Sequence, residues 1–557
     1  MATLQFKGKS FVQNHHLAVE HHELIPVKSK SVLEKGGNCS LHDNLIIHGD
    51  NLKALKALLP TYAGKVKCIY IDPPYNTGNE NWVYNDNVNS PMLKEWLGKV
   101  VDKEDLTRHE KWLCMMMPRL KLLRELLAED GVIFVSIDDN EQHRLRMLMD
   151  EVFGEEKFVC QFLWQRRTSS SLDEKNISTD HEYVITYGKG DPVFLGKEKD
   201  YKNYSNPDND PRGAWMHDNP TVGMTKEQRP NQFYDLVDPE TGNIFPANPN
   251  RVWAWAPETM AKLISEKRIV FPKDSKKKPM FKRYKNDLKS NINPISSILI
   301  SDVGLNSEST KLLQQIIPDK DFQYSKPLSL LKYILKHSVP NDSIILDSFA
   351  GSGTTAHAVL QLNKEDGGNR KFILIECEDY ADTITAERVR RVIKKLTTES
   401  TKTTESKKKK KGSASESSSV HSVTSVVQPT FSYFELGKPI TMENILQGKN
   451  MPTYAELARY VFYTATGEEF DERKIDEKKH YIGQTKKWDV YLFYKPDIEY
   501  LKQTALNLED LEKLGKNYKK RRLIFAPTKY VEQDWLDEYG VDFSQLPFEI
   551  YRFAETK

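Results

Sequence analysis

Ser343-Ile344-Ile345-Leu346-Asp347 runs straight into Phe349-Ala350-Gly351-Ser352-Gly353, and then into a helix that opens at Thr354 and continues through Leu362. A strand passing through a glycine loop into a helix is a nucleotide-type junction. The glycines let the backbone turn without a Cβ clash and approach a ligand closely. This binds the surrounding chain to a layered α/β arrangement with a ligand at the strand's carboxyl end. The spacing is G-x-G, without the third glycine of a dinucleotide fingerprint, and the strand closes on the carboxylate of Asp347. An acid there repels phosphate and attracts an ammonium. S-adenosylmethionine carries an α-ammonium and a positive sulfonium, so it suits the junction better than NAD.

The flanking chain keeps the matching rhythm. Leu45-Ile46-Ile47-His48-Gly49-Asp50 reads as a short strand ending in a polar turn, followed by a helix from Asn51 to Leu59. Val66 to Ile71 is a buried strand. Glu104 to Glu129 is helical, with Leu120, Leu123, Leu126 and Leu127 as its apolar stripe, and Gly131 stops it. Val132 to Ile137 is a strand, a helix runs to about Phe153, and His181 to Tyr187 is a further strand. Lys371 to Glu376 and a helix from Ala381 to Lys395 follow the glycine loop. Strands alternating with helices predict a mostly parallel sheet covered on both faces. Glu376, ending its strand, is placed to accept two ribose hydroxyls, with Glu378 as the fallback.

The Val66–Ile71 strand leads directly into Asp72-Pro73-Pro74-Tyr75. The prolines stop the strand and stiffen the loop. The loop offers one carboxylate, a carbonyl and an aromatic ring, a set suited to gripping a planar, amino-bearing base.

At 557 residues the chain needs more than one core, and two to four domains are expected. A net charge of +2 gives no global field for a polyanion, so any nucleic-acid contact must rest on local basic clusters. Five cysteines without a C-x-x-C pair argue against a zinc site or a disulfide framework, so no metal is expected and a cytoplasmic setting is. No apolar run approaches membrane-spanning length. Residues 1–43 form a polar N-terminal arm with the pairs His15-His16 and His21-His22. These suggest metal binding, but no carboxylate or thiolate spacing completes a site. A solvated arm, a helix packed on the core or a nucleic-acid-facing arm are the other readings.

Residues 44–187 and 302–396 carry the α/β pattern, and between them, over 188–301, the rhythm breaks. Trp215, Trp253, Trp255, Phe233 and Tyr234 alternate with Arg212, Arg229 and Arg251, and a basic run spans Lys276 to Lys285. By composition this is equally a recognition surface or an insertion domain with core tryptophans and solvated lysines. Residues 397–428 read as a disordered Ser/Thr/Lys linker. Residues 429–557 read as a small α+β domain with no catalytic motif.

IYIDPPYNTGNE and ILDSFAGSGTTAHAVL together resemble the DNA amino-methyltransferases of the permuted β class. Their flanks are similar to the modification subunits of type III restriction-modification systems over roughly the first 400 residues. The resemblance implies a Rossmann-like methyltransferase with permuted motif order and an inserted target-recognition domain at 188–301. It also implies S-adenosylmethionine as cofactor. Asp72, Pro73, Pro74 and Tyr75 would be catalytic. Asp50, Lys326, Pro327, Asp347, Phe349, Gly351, Ser352, Gly353, Thr354 and Glu376 would bind the cofactor. In this reading the Asp72 carboxylate and Pro73 carbonyl accept the N–H bonds of a flipped base amine, and Tyr75 stacks on the ring. The acid at the first position favours adenine N6. Cytosine N4, RNA, or a role mainly in recognition for a partner nuclease are the alternatives. Implied partners are double-stranded DNA, a second copy of the chain and a restriction nuclease–translocase subunit; the chain has no GxxxxGK[ST] loop of its own.

Overall fold

The computed structural model describes residues 3–77, 107–168, 176–274, 276–320, 322, 325–398, 428–440, 451–516 and 520–546. Most of the linker, residues 399–427, lies outside the described residues, as do Glu104 to Leu106, Gln323 and Tyr324.

The chain divides into two compact units, Gly196–Ile295 and the remainder. In the larger unit a ten-stranded sheet runs in spatial order His22–Pro26, Ser432–Pro439, Leu45–His48, Lys371–Glu376, Ile344–Asp347, Val66–Ile71, Leu127–Ile137, His181–Gly188, Phe158–Gln165, Ile298–Leu299. The six strands from Ser432–Pro439 to Leu127–Ile137 are joined by parallel pairings. Antiparallel pairs occur at the His22 edge and on both sides of His181–Gly188. Ile69 and Ile71 join the core under the helices Asn51–Tyr62, Arg108–Leu126 and Gln142–Phe153. Their neighbours Cys68 and Tyr70, which face the other way, are equally buried, so both faces are covered. The fold is the mostly parallel α/β arrangement that the alternation predicts.

Three differences from the sequence reading have local causes. The long helix ends at Leu126, not near Glu129, because Gly64 and Lys65 donate their N–H groups to the Glu125 and Leu126 carbonyls and cap it from outside. The chain turns at once into the Leu127–Ile137 strand, and Gly131 lies within that strand, where a Cβ would strike Leu127 and the Ala128 carbonyl. Phe158–Gln165 is a strand that periodicity did not reveal. Finally, the sheet recruits both flanks. Ser432–Pro439 lies parallel to Leu45–His48, buries Tyr433 and Phe434, and covers what would be an open edge. His22–Pro26 lies outside it, with His22 Nδ1 2.9 Å from the Gly437 carbonyl. Residues of the N-terminal arm and of the segment after 429 are therefore parts of the main sheet; His22 lies on its outer strand, and His15, His21 and His22 are all buried.

Beyond Ile440, a four-stranded sheet of Tyr481–Gln484, Trp488–Leu492, Arg521–Ala526 and Val541–Gln545 packs with the helix Tyr454–Thr466. Thr453 and Glu456 close a capping box at that helix's start. Phe470 donates its N–H to the Pro60 carbonyl at 3.2 Å, joining this part to the Asn51–Tyr62 helix. No helix among the described residues is long and apolar enough to cross a membrane.

The smaller unit holds a three-stranded antiparallel sheet of Ile269–Val270, Met280–Tyr284 and Trp215–Asp218. Leu236, Phe245, Trp253, Met260 and Ile269 form its core. Trp215 and Trp253 are buried, and Lys282, in the basic run, is buried against Asp208 and Asp210. These side chains support the unit, while Lys276, Lys277 and Lys278 are exposed.

Candidate active site

The carboxyl ends of parallel strands collect the sequence motifs. Ile345 and Leu346 pair with Cys68 and Ile69, so the loops after Asp347 and after Ile71 emerge side by side. On the other side Glu376 pairs with His48, which brings Asp50 to the same end. The loops are fixed by their own bonds. Trp112 Nε1 donates to the Pro74 carbonyl at 2.7 Å, and Asn76, buried with φ +55°, donates to the Glu141 carboxylate. Gly351 and Gly353 adopt φ of +52° and +78°, a region that a side chain disfavours.

On the cofactor side, Asp347 Oδ2 accepts from Thr355 Oγ1 at 2.5 Å and Oδ1 from the Phe349 N–H at 3.1 Å. Burial nonetheless pushes the Asp347 carboxyl up to about 7. Glu376 is fully buried and accepts the Gly351 N–H at 2.7 Å, so it braces the glycine loop from the neighbouring strand. Asp50 caps the Asn51–Tyr62 helix through the Lys53 N–H and is half-buried. Phe322 lies across the loop, its ring tip 3.7 Å from where a Gly351 Cβ would be. Phe349 is buried in the core beneath, and Pro327 is buried at the start of the helix Leu328–Ser338. Ser352 and Thr354 are buried and bonded through their hydroxyls.

On the catalytic side, Lys326 sits where the cofactor assignment does not place it. Its Nζ is 2.8 Å from Asp72 Oδ1, 3.5 Å from Glu182 Oε2 and 4.7 Å from the centre of the Tyr75 ring. Tyr75 donates its hydroxyl to Glu182 Oε2 at 3.0 Å, and Arg166 lies 3.5 Å from Oε1. Burial raises the Asp72 carboxyl above its ordinary value, with Lys326 opposing and Glu182 adding to the rise. Burial acts to lower the Lys326 ammonium, but Asp72 and Glu182 outweigh it and the net shift is upward. Sequence reasoning missed Trp112, Arg166 and Glu182. Trp112 and Glu182 lie on a helix and a strand whose patterns read as packing, and Arg166 just follows a strand that periodicity did not reveal, so no local signal marked them.

The donor and acceptor set divides in two. One half has buried acids around a glycine cradle and suits a cationic amino-acid ligand with a ribose. The other has a carboxylate, a carbonyl and an aromatic ring in a rigid loop and suits a planar amine. Residues 66–387 match the family described as DNA methylase. Among relatives, the type III restriction-modification enzyme StyLTI Mod subunit of Salmonella typhimurium strain LT2 is 34% identical over 422 residues, covering 71% of this chain and 63% of that protein. The EcoPI Mod subunit of Escherichia phage P1 is 32% identical, covering 64% and 63%. The type II methyltransferase M.KpnI of Klebsiella pneumoniae is 32% identical, covering 59% and 79%. The chain thus spans about 63% of the length of these Mod subunits. Among solved structures, the PvuII DNA methyltransferase (cytosine-N4-specific) aligns with 62% of this chain and 86% of its own, at 14% identity and a TM-score of 0.33.

Proposed function

This chain belongs to the DNA methylase family, and from that premise we propose that it transfers a methyl group from S-adenosylmethionine to the N6 amine of adenine in duplex DNA. The observation that carries the reading is the pairing of the Asp72 strand with the Asp347 strand, which sets a base-gripping loop beside a cofactor-type loop. The pocket fits the cofactor on its own chemistry: a left-handed glycine turn at Gly351 and Gly353, an acid at Asp347 for an ammonium, and an acid at Glu376 for ribose hydroxyls. When bound, S-adenosylmethionine supplies an electrophilic methyl group on a sulfonium.

The protein's own part is positioning. An exocyclic amine is a poor nucleophile because its lone pair is delocalised into the ring. The Asp72 carboxylate and the Pro73 carbonyl accept its two N–H bonds and direct the lone pair out of the ring plane. Tyr75 stacks on the base, which must first leave the duplex at a cost of a few kcal/mol. The Trp112 bond to Pro74 and the Asn76 bond to Glu141 keep the loop from yielding under that load. Lys326 pairs with the Asp72 carboxylate and opposes the burial that raises it. The likeness to Mod subunits supports a role as a modification subunit that works with a nuclease–translocase subunit, with Gly196–Ile295 as its target-recognition unit.

Labelled S-adenosylmethionine, mixed-sequence duplex DNA and nucleoside analysis test the proposal, with Asp72→Ala as control. N6-methyladenine from the parent protein alone supports it. N4-methylcytosine would reassign the base, and methylation of RNA alone would remove DNA as substrate.

A further inference from the structure

Arg388 follows the π-helical turn Ala381–Ala386, and its side chain is wholly buried behind the glycine loop. Its Nη1 donates to Ser352 Oγ and Thr354 Oγ1, each at 2.8 Å, and more weakly to Ser325 Oγ at 3.4 Å. Nη2 lies 3.4 Å from His357 Nδ1, and Nε has no partner among the described residues. No carboxylate among the described residues pairs with the guanidinium, and burial alone pulls its pKa down to about 9. A charge in such a place is costly unless something compensates it. A strut between loop and helix does not need that charge, because a neutral amide would serve the same hydroxyls.

Those hydroxyls form a triangle. Ser325 Oγ is 2.8 Å from Ser352 Oγ and 3.2 Å from Thr354 Oγ1, and the last two are 3.3 Å apart. Nη1 has two N–H bonds, which serve the nearer oxygens of Ser352 and Thr354; because a guanidinium only donates, it consumes none of the three hydroxyl protons, which are shared within the triangle and can turn toward an anion. The helix Thr354–Asp366 starts at the same point from Gly353, with no side-chain cap on its first N–H groups. Guanidinium, hydroxyl protons and helix N-terminus all favour an anion here. Across the loop, Asp347 favours a cation. The two polarities match the two ends of an amino-acid zwitterion.

We infer that Arg388 is a positioning residue for the cofactor carboxylate: the buried counter-charge of an anion subsite whose donors are the Ser325, Ser352 and Thr354 hydroxyls. The inference rests on S-adenosylmethionine being the cofactor. It assigns Arg388 a role in discrimination, separate from holding the loop.

The test is calorimetric binding of two ligands to the full chain: S-adenosylmethionine, and its decarboxylated analogue, which keeps the amine and the sulfonium. The parent protein should prefer the carboxylated ligand by about 10- to 100-fold, the worth of a charge-assisted bond. Arg388→Met should erase that preference while binding the analogue within about threefold of the parent. Arg388→Lys, which keeps the charge, should retain most of it. If Arg388→Met weakens both ligands equally, the residue is a strut and the inference falls. A lysine variant as indifferent as the methionine variant would likewise remove the counter-charge. Should Arg388→Met not fold, Thr354→Val carries the question, since loss of one donor must lower the preference and an unchanged ratio overturns the subsite. A parent protein that binds neither ligand refutes the cofactor assignment itself.

Discussion

Lys326 Nζ stands 2.8 Å from Asp72 Oδ1, so a side chain just before the helix Leu328–Ser338 holds the carboxylate that follows the Val66–Ile71 strand. The contact turns two separate motifs into one electrostatic unit. It also means that the carboxylate proposed to receive the base amine is held by an internal cation.

Removing that cation should disturb the ionisation of Asp72. Burial already raises the Asp72 carboxyl and Lys326 opposes the rise. In Lys326→Met the acidic limb of the kcat/KM profile should move to higher pH by about one to three units, the usual effect of losing an opposite charge at this range. A profile that keeps its acidic limb while kcat falls would show that Lys326 does not act through Asp72.

Glu182 should act with the opposite sign. It is a like charge for Asp72 and adds to the raised pKa. Glu182→Gln keeps an acceptor for the Tyr75 hydroxyl but removes the charge, so the same limb should move to lower pH. Steady-state rates between pH 5 and 8 read the shift, and movement in the same direction as Lys326→Met would contradict the electrostatic account.

Asp347 sits near 7, pushed up first by burial, with Thr355 and the Phe349 N–H opposing. Its folded value exceeds the unfolded value of about 3.9. Its contribution to stability is therefore complete below that unfolded value and is lost as pH rises through the folded one. A cationic ligand needs the ionised form, so cofactor binding should release a proton and weaken by up to about tenfold per unit below neutrality. Calorimetry near neutral pH in two buffers of different ionisation heat measures the proton, and Asp347→Asn should abolish its release.

The two glycines of the loop should not tolerate alanine equally. A Cβ on Gly353 meets the Thr385 carbonyl oxygen at 3.1 Å, whereas on Gly351 the nearest contact is 3.7 Å away. Both alanines bear the left-handed backbone cost of about 1–2 kcal/mol, and only Gly353→Ala adds a clash with backbone. Thermal melts should rank Gly353→Ala below Gly351→Ala, and the reverse order would place the strain elsewhere.

What the sequence showed was the part written locally. Strand, glycine loop and helix around Asp347 follow from residues adjacent in the chain, as does the stiff loop after Ile71. What it hid was settled by distant partners. The Arg108–Leu126 helix stops where Gly64 and Lys65 cap it, so Gly131 misled as a stop signal. Ser432–Pro439 reads as the start of a separate domain until Leu45–His48 is seen to need a neighbour. Lys326 matched a cofactor segment by motif, but its long side chain is drawn to two carboxylates on other strands.

The closing of the sheet by Ser432–Pro439 also has a consequence for biosynthesis. His22 and Gly437 touch across 415 residues, and Ser432–Pro439 lies between His22–Pro26 and Leu45–His48. As the chain leaves the ribosome, the Leu45–His48 strand must wait with one edge bare until Ser432–Pro439 has been made. The sheet cannot be finished in the order of the chain, and the Asp72 loop is translated long before the strand that completes the sheet beside Leu45–His48.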